Sequence, residues 1–135
     1  MRACLFDIDG TLLNTGSAGQ AAIERAMVDE AGVTWPPEGI STVGRTDRAI
    51  VEDLFAFSGI DPDGPAWGRV LAAYLETLPA ELEQLDRTPL PGVHELLERL
   101  AARDDVVLGL LTGNFRAGAI VKLDFYGLAH YFLDD

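Results

Sequence analysis

Two short apolar runs frame this chain, and the residues that follow each of them limit the folds open to it. The first, Ala3-Cys4-Leu5-Phe6, passes directly into Asp7-Ile8-Asp9-Gly10. The second, the six residues from Val106 to Leu111, passes into Thr112-Gly113-Asn114. Short runs without polar alternation read as strands buried on both faces, the usual state at the centre of a parallel sheet. A third run of this kind starts at His130-Tyr131-Phe132-Leu133. Helical periodicity fills the space between the strands, and strand, helices, strand, helix, strand is the order of an α/β fold with parallel strands.

Each helical segment carries its own signals. Ser17 and Gln20 have the spacing of a capping box ahead of Ala22, Ile23, Ala26 and Met27, with Gly32 as the stop. A second segment, from about Thr46 to Phe57, aligns Ile50, Val51, Leu54 and Phe55, and Gly59 closes it. The third opens at Pro65 and repeats Trp67, Val70, Leu71, Tyr74, Leu75 and Leu78 at three- and four-residue steps. Pro79 is expected to kink or end it. A fourth presents Val93, Leu96, Leu97 and Leu100, and a last one runs from about Arg116 to Tyr126 with Gly127 as its cap. The stretch from Thr15 to Thr88 is too long for one crossover helix. It reads as an inserted helical lobe, residues 15–88, entered near Leu13-Asn14-Thr15-Gly16 and left at Pro89-Leu90-Pro91-Gly92. The sheet core is then discontinuous, residues 1–14 and 89–135.

Composition excludes several classes of function. Of 135 residues, 48% are apolar, which suits a globular domain, and 10 basic against 22 acidic side chains leave a net charge of −12. Binding to nucleic acid requires clustered Lys and Arg, and no such cluster occurs. A six-residue apolar run falls far short of the roughly twenty residues of a membrane-spanning helix. Met1-Arg2 leads straight into a strand-like run, so no secretory signal is expected. The single cysteine, Cys4, lies within an apolar run and reads as a small buried hydrophobe. These features together predict an acidic, cytoplasmic protein without nucleic-acid or membrane partners.

Ligands of open α/β sheets bind beyond the carboxyl ends of the strands. Both strand ends here carry reactive residue types. Alternation along an extended chain points Asp7 and Asp9 the same way, and two neighbouring carboxylates repel unless a proton or a divalent cation intervenes. Mg²⁺ suits such oxygen ligands where substrate phosphate completes its shell. Asp7 as nucleophile would form an acyl phosphate, and Asp9 would serve as acid and then base. At the second strand, the Thr112 hydroxyl and backbone N–H groups at a helix start make a phosphate cradle, with Gly113 leaving room for close approach and Asn114 beside it. Plainer alternatives stand beside these. An isolated Asp-x-Asp often only caps a turn, Thr-Gly-Asn is a common helix start, and Arg45 in Gly44-Arg45-Thr46-Asp47 is equally an exposed arginine before a helix. His94 and His130 lack a second histidine at ligand spacing, and Trp67 and Tyr74 read as core.

Leu5-Phe6-Asp7-Ile8-Asp9-Gly10-Thr11-Leu12-Leu13-Asn14-Thr15 resembles the first motif of the haloacid dehalogenase-like superfamily in its phosphatase form. Leu110-Leu111-Thr112-Gly113-Asn114 resembles the second motif. A helical insertion after the first motif is similar to the cap of the phosphoglycolate phosphatase and β-phosphoglucomutase branch. The resemblance covers essentially the whole chain. It implies a Rossmann-like parallel sheet core, here incomplete, with an inserted α-helical cap, and a Mg²⁺-dependent phosphohydrolase acting on a small phosphorylated metabolite. Asp7 would be the nucleophile, and Asp7 with the main-chain carbonyl of Asp9 would hold the metal. Asp9 would be the acid/base, Thr112 and Asn114 would contact phosphate, and Arg45 of the cap would approach the substrate. A phosphomutase of the β-phosphoglucomutase type and an inactive fragment or pseudoenzyme that binds phosphate or a partner are the alternatives. The family also has a third motif, a Lys or Arg, and a fourth, one or two acids. Both are expected beyond Leu133, so the chain is read as the N-terminal portion of a longer protein and expected to lack full activity. Lys122, mid-helix and six residues after Arg116, is not assigned to the third motif, and Asp134-Asp135 are read at most as the start of the next loop. Without later strands, Cys4 and Phe6 are expected on an uncovered sheet edge, a route to self-association.

Overall fold

A computed structural model describes residues 1–33 and 40–133. Strand β1 (Arg2–Phe6) is followed by α1 (Ala18–Ala31), α2 (Asp47–Phe57), α3 (Pro65–Glu83) and α4 (Val93–Ala101). Strand β2 (Val106–Leu110), α5 (Arg116–Phe125) and a 3₁₀ turn (Ala129–Tyr131) complete the order. The two strands pair in parallel, from Arg2 against Val106 to Phe6 against Leu110. Parallel strands require a crossover, and the helices α1–α4 form it. This is the α/β arrangement expected, and the equal ends of the ladder put Asp7 beside Leu111 and Thr112. The Leu111 N–H donates to the Phe6 carbonyl at 2.8 Å and closes that end.

Helix α1 buries Ala22, Ile23, Ala26 and Met27, and α3 buries Val70, Tyr74, Leu78 and Leu82. These two stripes pack on each other and hold the centre of the helical region. Pro79 does not end α3, which runs through it to Glu83. Proline removes a hydrogen bond and costs about 3 kcal/mol or more inside a helix. Leu78 and Leu82, both fully buried, flank it, and their burial against the rest of the core outweighs that cost. Ser17 precedes α1 but makes no side-chain cap bond, because φ −108° and ψ 21° are not the extended values that aim a capping hydroxyl at the first turn. Thr46 does cap α2, accepting the Ala49 N–H at 3.1 Å.

The remaining differences lie at the sheet. The run from His130 to Leu133 opens as the 3₁₀ turn rather than a strand. Neither described strand is buried on both faces. β1 has β2 on one side and no other neighbour among the described residues. Cys4 and Phe6 are nevertheless half-buried, Phe6 edge-on to Phe132 at 6.0 Å. The exposed side chains are those of the opposite face, Leu5, Val107 and Leu111. Period-two alternation explains this: the helices cover one face, and every second residue points away from them. Leu96 is exposed on α4, whereas Val93 and Leu97 are buried. Asp134 and Asp135 lie outside the described residues.

Candidate active site

Asp7 follows the last residue of β1 and receives the Ile8 N–H at 2.8 Å on Oδ1. Asp9 stands two residues on, in a turn where Leu12 and Leu13 both donate N–H groups to the Ile8 carbonyl. With Arg45, Asp47, Thr112 and Asn114 these residues line one cavity of about 450 Å³ at the carboxyl ends of both strands. The sequence-predicted residues are therefore brought together, although 105 positions separate Asp9 from Asn114.

The hydrogen bonds within the cavity specify what each group has left to offer. Asn114 Nδ2 donates to Asp9 Oδ2 and to Thr112 Oγ1, each at 2.7 Å. Thr112 Oγ1 also accepts the Asn114 N–H at 3.3 Å. A hydroxyl has two acceptor positions and one donor, so with both acceptor positions filled the Thr112 O–H is left as a donor. That polarity suits an anion.

Lys122 is the residue that sequence reasoning passed over. It rises from α5 two turns after Asn114 and is 3% exposed. Its Nζ donates to both carboxylate oxygens of Asp9, at 3.0 and 2.9 Å, and to Asn114 Oδ1 at 2.5 Å. Buried Thr15 also donates its hydroxyl to Asp9. Burial by itself would raise the Asp9 carboxyl, but the Lys122 charge and the bonds from Thr15, Asn114 and Lys122 together hold it below the ordinary carboxylate range. A signal for Lys122 was present in the sequence. It is the chain's one lysine, and it occupies a core-facing position in the series Ala119, Lys122, Leu123, Tyr126. A cation on an apolar stripe calls for a buried partner.

Asp47, the first residue of α2, is also part of the site. Its carboxyl is pushed up by burial, against the opposing effects of the Phe115 N–H and of Lys122. Arg45 also lines the cavity, and its guanidinium is paired with Asp53 of the same helical region. The pairing leaves Arg45 a half-buried cation with an intramolecular partner.

Oxygen donors make up the possible metal site. The Asp9 carboxylate is already engaged by Lys122, Thr15 and Asn114, which leaves Asp7, bonded at Oδ1 to the Ile8 N–H, as the carboxylate with an oxygen to spare for a cation. Among the described residues no group of three His, Cys, Asp or Glu side chains is arranged to hold a metal. A hard cation that keeps several waters and takes one or two carboxylates plus substrate phosphate fits this set.

Compared with known protein families, residues 4–133 match the haloacid dehalogenase-like hydrolases. Among solved structures, a Bacillus subtilis protein, YfnB, described as a HAD-hydrolase and crystallised in an orthorhombic form bound to magnesium, is similar with a TM-score of 0.50 at 18% identity. The similarity covers 98% of this chain and 63% of that one, so the chain spans less than two thirds of that protein's length. No protein of curated function matches the sequence.

Proposed function

The chain belongs to the haloacid dehalogenase-like hydrolase family, and from that premise we propose that it carries the site of a Mg²⁺-dependent phosphohydrolase for a small phosphorylated metabolite, working through an aspartyl-phosphate on Asp7. The observation that supports this reading most is the convergence of Asp7, Asp9, Thr112 and Asn114 on one cavity at the carboxyl ends of two parallel strands.

Asp7 attacks phosphorus through a carboxylate oxygen, forming an acyl phosphate as the bond to the leaving alkoxide breaks. The Asp7 carboxylate and the Asp9 main-chain carbonyl would hold Mg²⁺, which would supply charge neutralisation between nucleophile and phosphate. The Thr112 hydroxyl donates to the phosphoryl oxygens, as its filled acceptor positions dictate. Lys122 steadies the Asp9 carboxylate and the Asn114 amide from behind.

The Lys122 contact also governs Asp9. A carboxyl held ionised by an ammonium group is a base and a poor acid. The negative charge of an arriving phosphate raises the Asp9 carboxyl against the hold of Lys122 and lets it carry the proton that the leaving alkoxide requires. After the alcohol departs, ionised Asp9 removes a proton from the water that hydrolyses the acyl phosphate.

The test is hydrolysis of para-nitrophenyl phosphate with and without Mg²⁺, beside Asp7→Asn. Mg²⁺-dependent turnover that disappears in the variant is expected. Equal turnover in the variant would remove Asp7 from the mechanism, and conversion of a sugar phosphate to its isomer would reassign the site to a phosphomutase.

A further inference from the structure

The chemistry above uses the cavity side of the 112–114 turn, and α2 grips its other side. The Asp47 N–H donates to the Gly113 carbonyl at 2.8 Å. The Asp47 carboxylate in return accepts the Phe115 N–H at 2.9 Å. One residue thus holds the backbone on both sides of Asn114, whose side chain ties Thr112 to Asp9.

The fit between the two segments is tight. A Cβ on Gly113 would lie 3.2 Å from the Thr46 Cα and 3.3 Å from the Arg45 carbonyl oxygen, both backbone atoms with little freedom to give way. A side chain there would require the Arg45–Thr46 backbone to give by a few tenths of an ångström. Helix α5 begins at the same place, and its N-cap residue, Phe115, contributes no side-chain cap bond of its own. A carboxylate 68 residues earlier in the chain therefore supplies the anion at the amino end of the helix that carries Lys122. The clamp occupies the Gly113 carbonyl and the Phe115 N–H, and leaves the Thr112 hydroxyl and the Gly113 N–H outside it.

We infer that Asp47 is a positioning residue, which orders the 112–114 turn for phosphate only while α2 is docked on it. The inference rests on the phosphohydrolase reading of that turn. Phosphate affinity and the docking of α2 are then reciprocally linked, since whatever stabilises one stabilises the other.

The test titrates inorganic phosphate, with Mg²⁺ present, into the wild-type chain and into Asp47→Ala and Asp47→Asn, while NMR follows the Phe115 amide. Losing a charge-assisted acceptor is expected to weaken phosphate by about tenfold or more in Asp47→Ala and to move the Phe115 amide resonance upfield. Asp47→Asn keeps an acceptor oxygen and is expected to return affinity to within about threefold of wild type. Gly113→Ala attacks the same clamp from the turn and should reproduce the loss even where Asp47→Ala fails to fold. Equal phosphate affinity in the wild type and in folded Asp47→Ala or Gly113→Ala overturns the inference and leaves the phosphohydrolase reading in place. A wild-type chain that binds no phosphate overturns both.

Discussion

The α1–α3 helix pair and the junction where α2 and α5 meet the strand ends are held together by different physics. The helix pair is a stripe of Ala22, Ala26, Met27, Val70, Leu78 and Leu82, and burial alone holds it. Its described ion pair, Arg69 with Glu30 at 3.7 Å, is exposed on the arginine side and contributes little. The junction instead relies on directional bonds among Asp9, Thr15, Asn114, Lys122 and Asp47. Apolar burial is non-directional and tolerant, which is why α3 accommodates a proline in its interior. A polar network in a partly buried setting tolerates much less, because every lost partner leaves another group unsatisfied.

Substitutions in the two regions should separate function from stability accordingly. The largest effect is expected at the junction with the least structural consequence: Asp7→Asn should lower aryl phosphate turnover by about a thousandfold or more at an unchanged melting temperature. Lys122→Met should cost about a hundredfold in kcat/KM. It should also change the pH dependence of stability. The folded Asp9 carboxyl lies below its unfolded value, so the stability it contributes is present above the unfolded value and lost as pH falls through the folded one. Without the Lys122 charge that shift shrinks, and thermal melts between about pH 5 and pH 2 should show a shallower acid loss. A wild-type acid profile in Lys122→Met would break the claim that this ion pair controls Asp9.

In the helix pair, Leu78→Ala should destabilise by about 3 kcal/mol in urea denaturation, through the cavity it leaves. Turnover by the folded fraction should be little changed. Where the two regions touch, an intermediate effect is expected. A Cβ on Gly118 of α5 would overlap the Tyr74 hydroxyl of α3 and lie 3.0 Å from two of its ring carbons. Gly118→Ala should therefore cost about 2 kcal/mol by overpacking. That buried hydroxyl has no hydrogen-bond partner among the described residues, so Tyr74→Phe should be neutral or stabilising by itself and should recover part of the Gly118→Ala loss. The smallest effect is expected at Thr46→Ala, about 1 kcal/mol from the lost N-cap of α2.

Much of this could be read without coordinates. The bounds of α2 and α5 and the start of α4 follow from periodicity and end signals within a residue or two, and the two apolar runs became paired strands in parallel register. The candidate site residues Asp7, Asp9, Thr112, Gly113 and Asn114 are marked by their position after those runs. Three local rules misled. Pro79 does not end its helix, Ser17 is kept from capping by the backbone angles of the turn it occupies, and the third run starts as a 3₁₀ turn. The place of Lys122 in mid-helix gives no reason to link it with Asp9.

What the sequence determined by itself is what depends on near neighbours: the period of each apolar stripe, the turns that end it, and the residue types delivered to each strand end. Tertiary structure alone decided that Lys122 closes on an aspartate 113 residues away and that Asp47 seats on the 112–114 turn. A hydrogen bond is specified by distances of a few tenths of an ångström and by angle. Those depend on how distant elements come together, and no stretch of residues around Asp9, Asp47 or Lys122 contains that information.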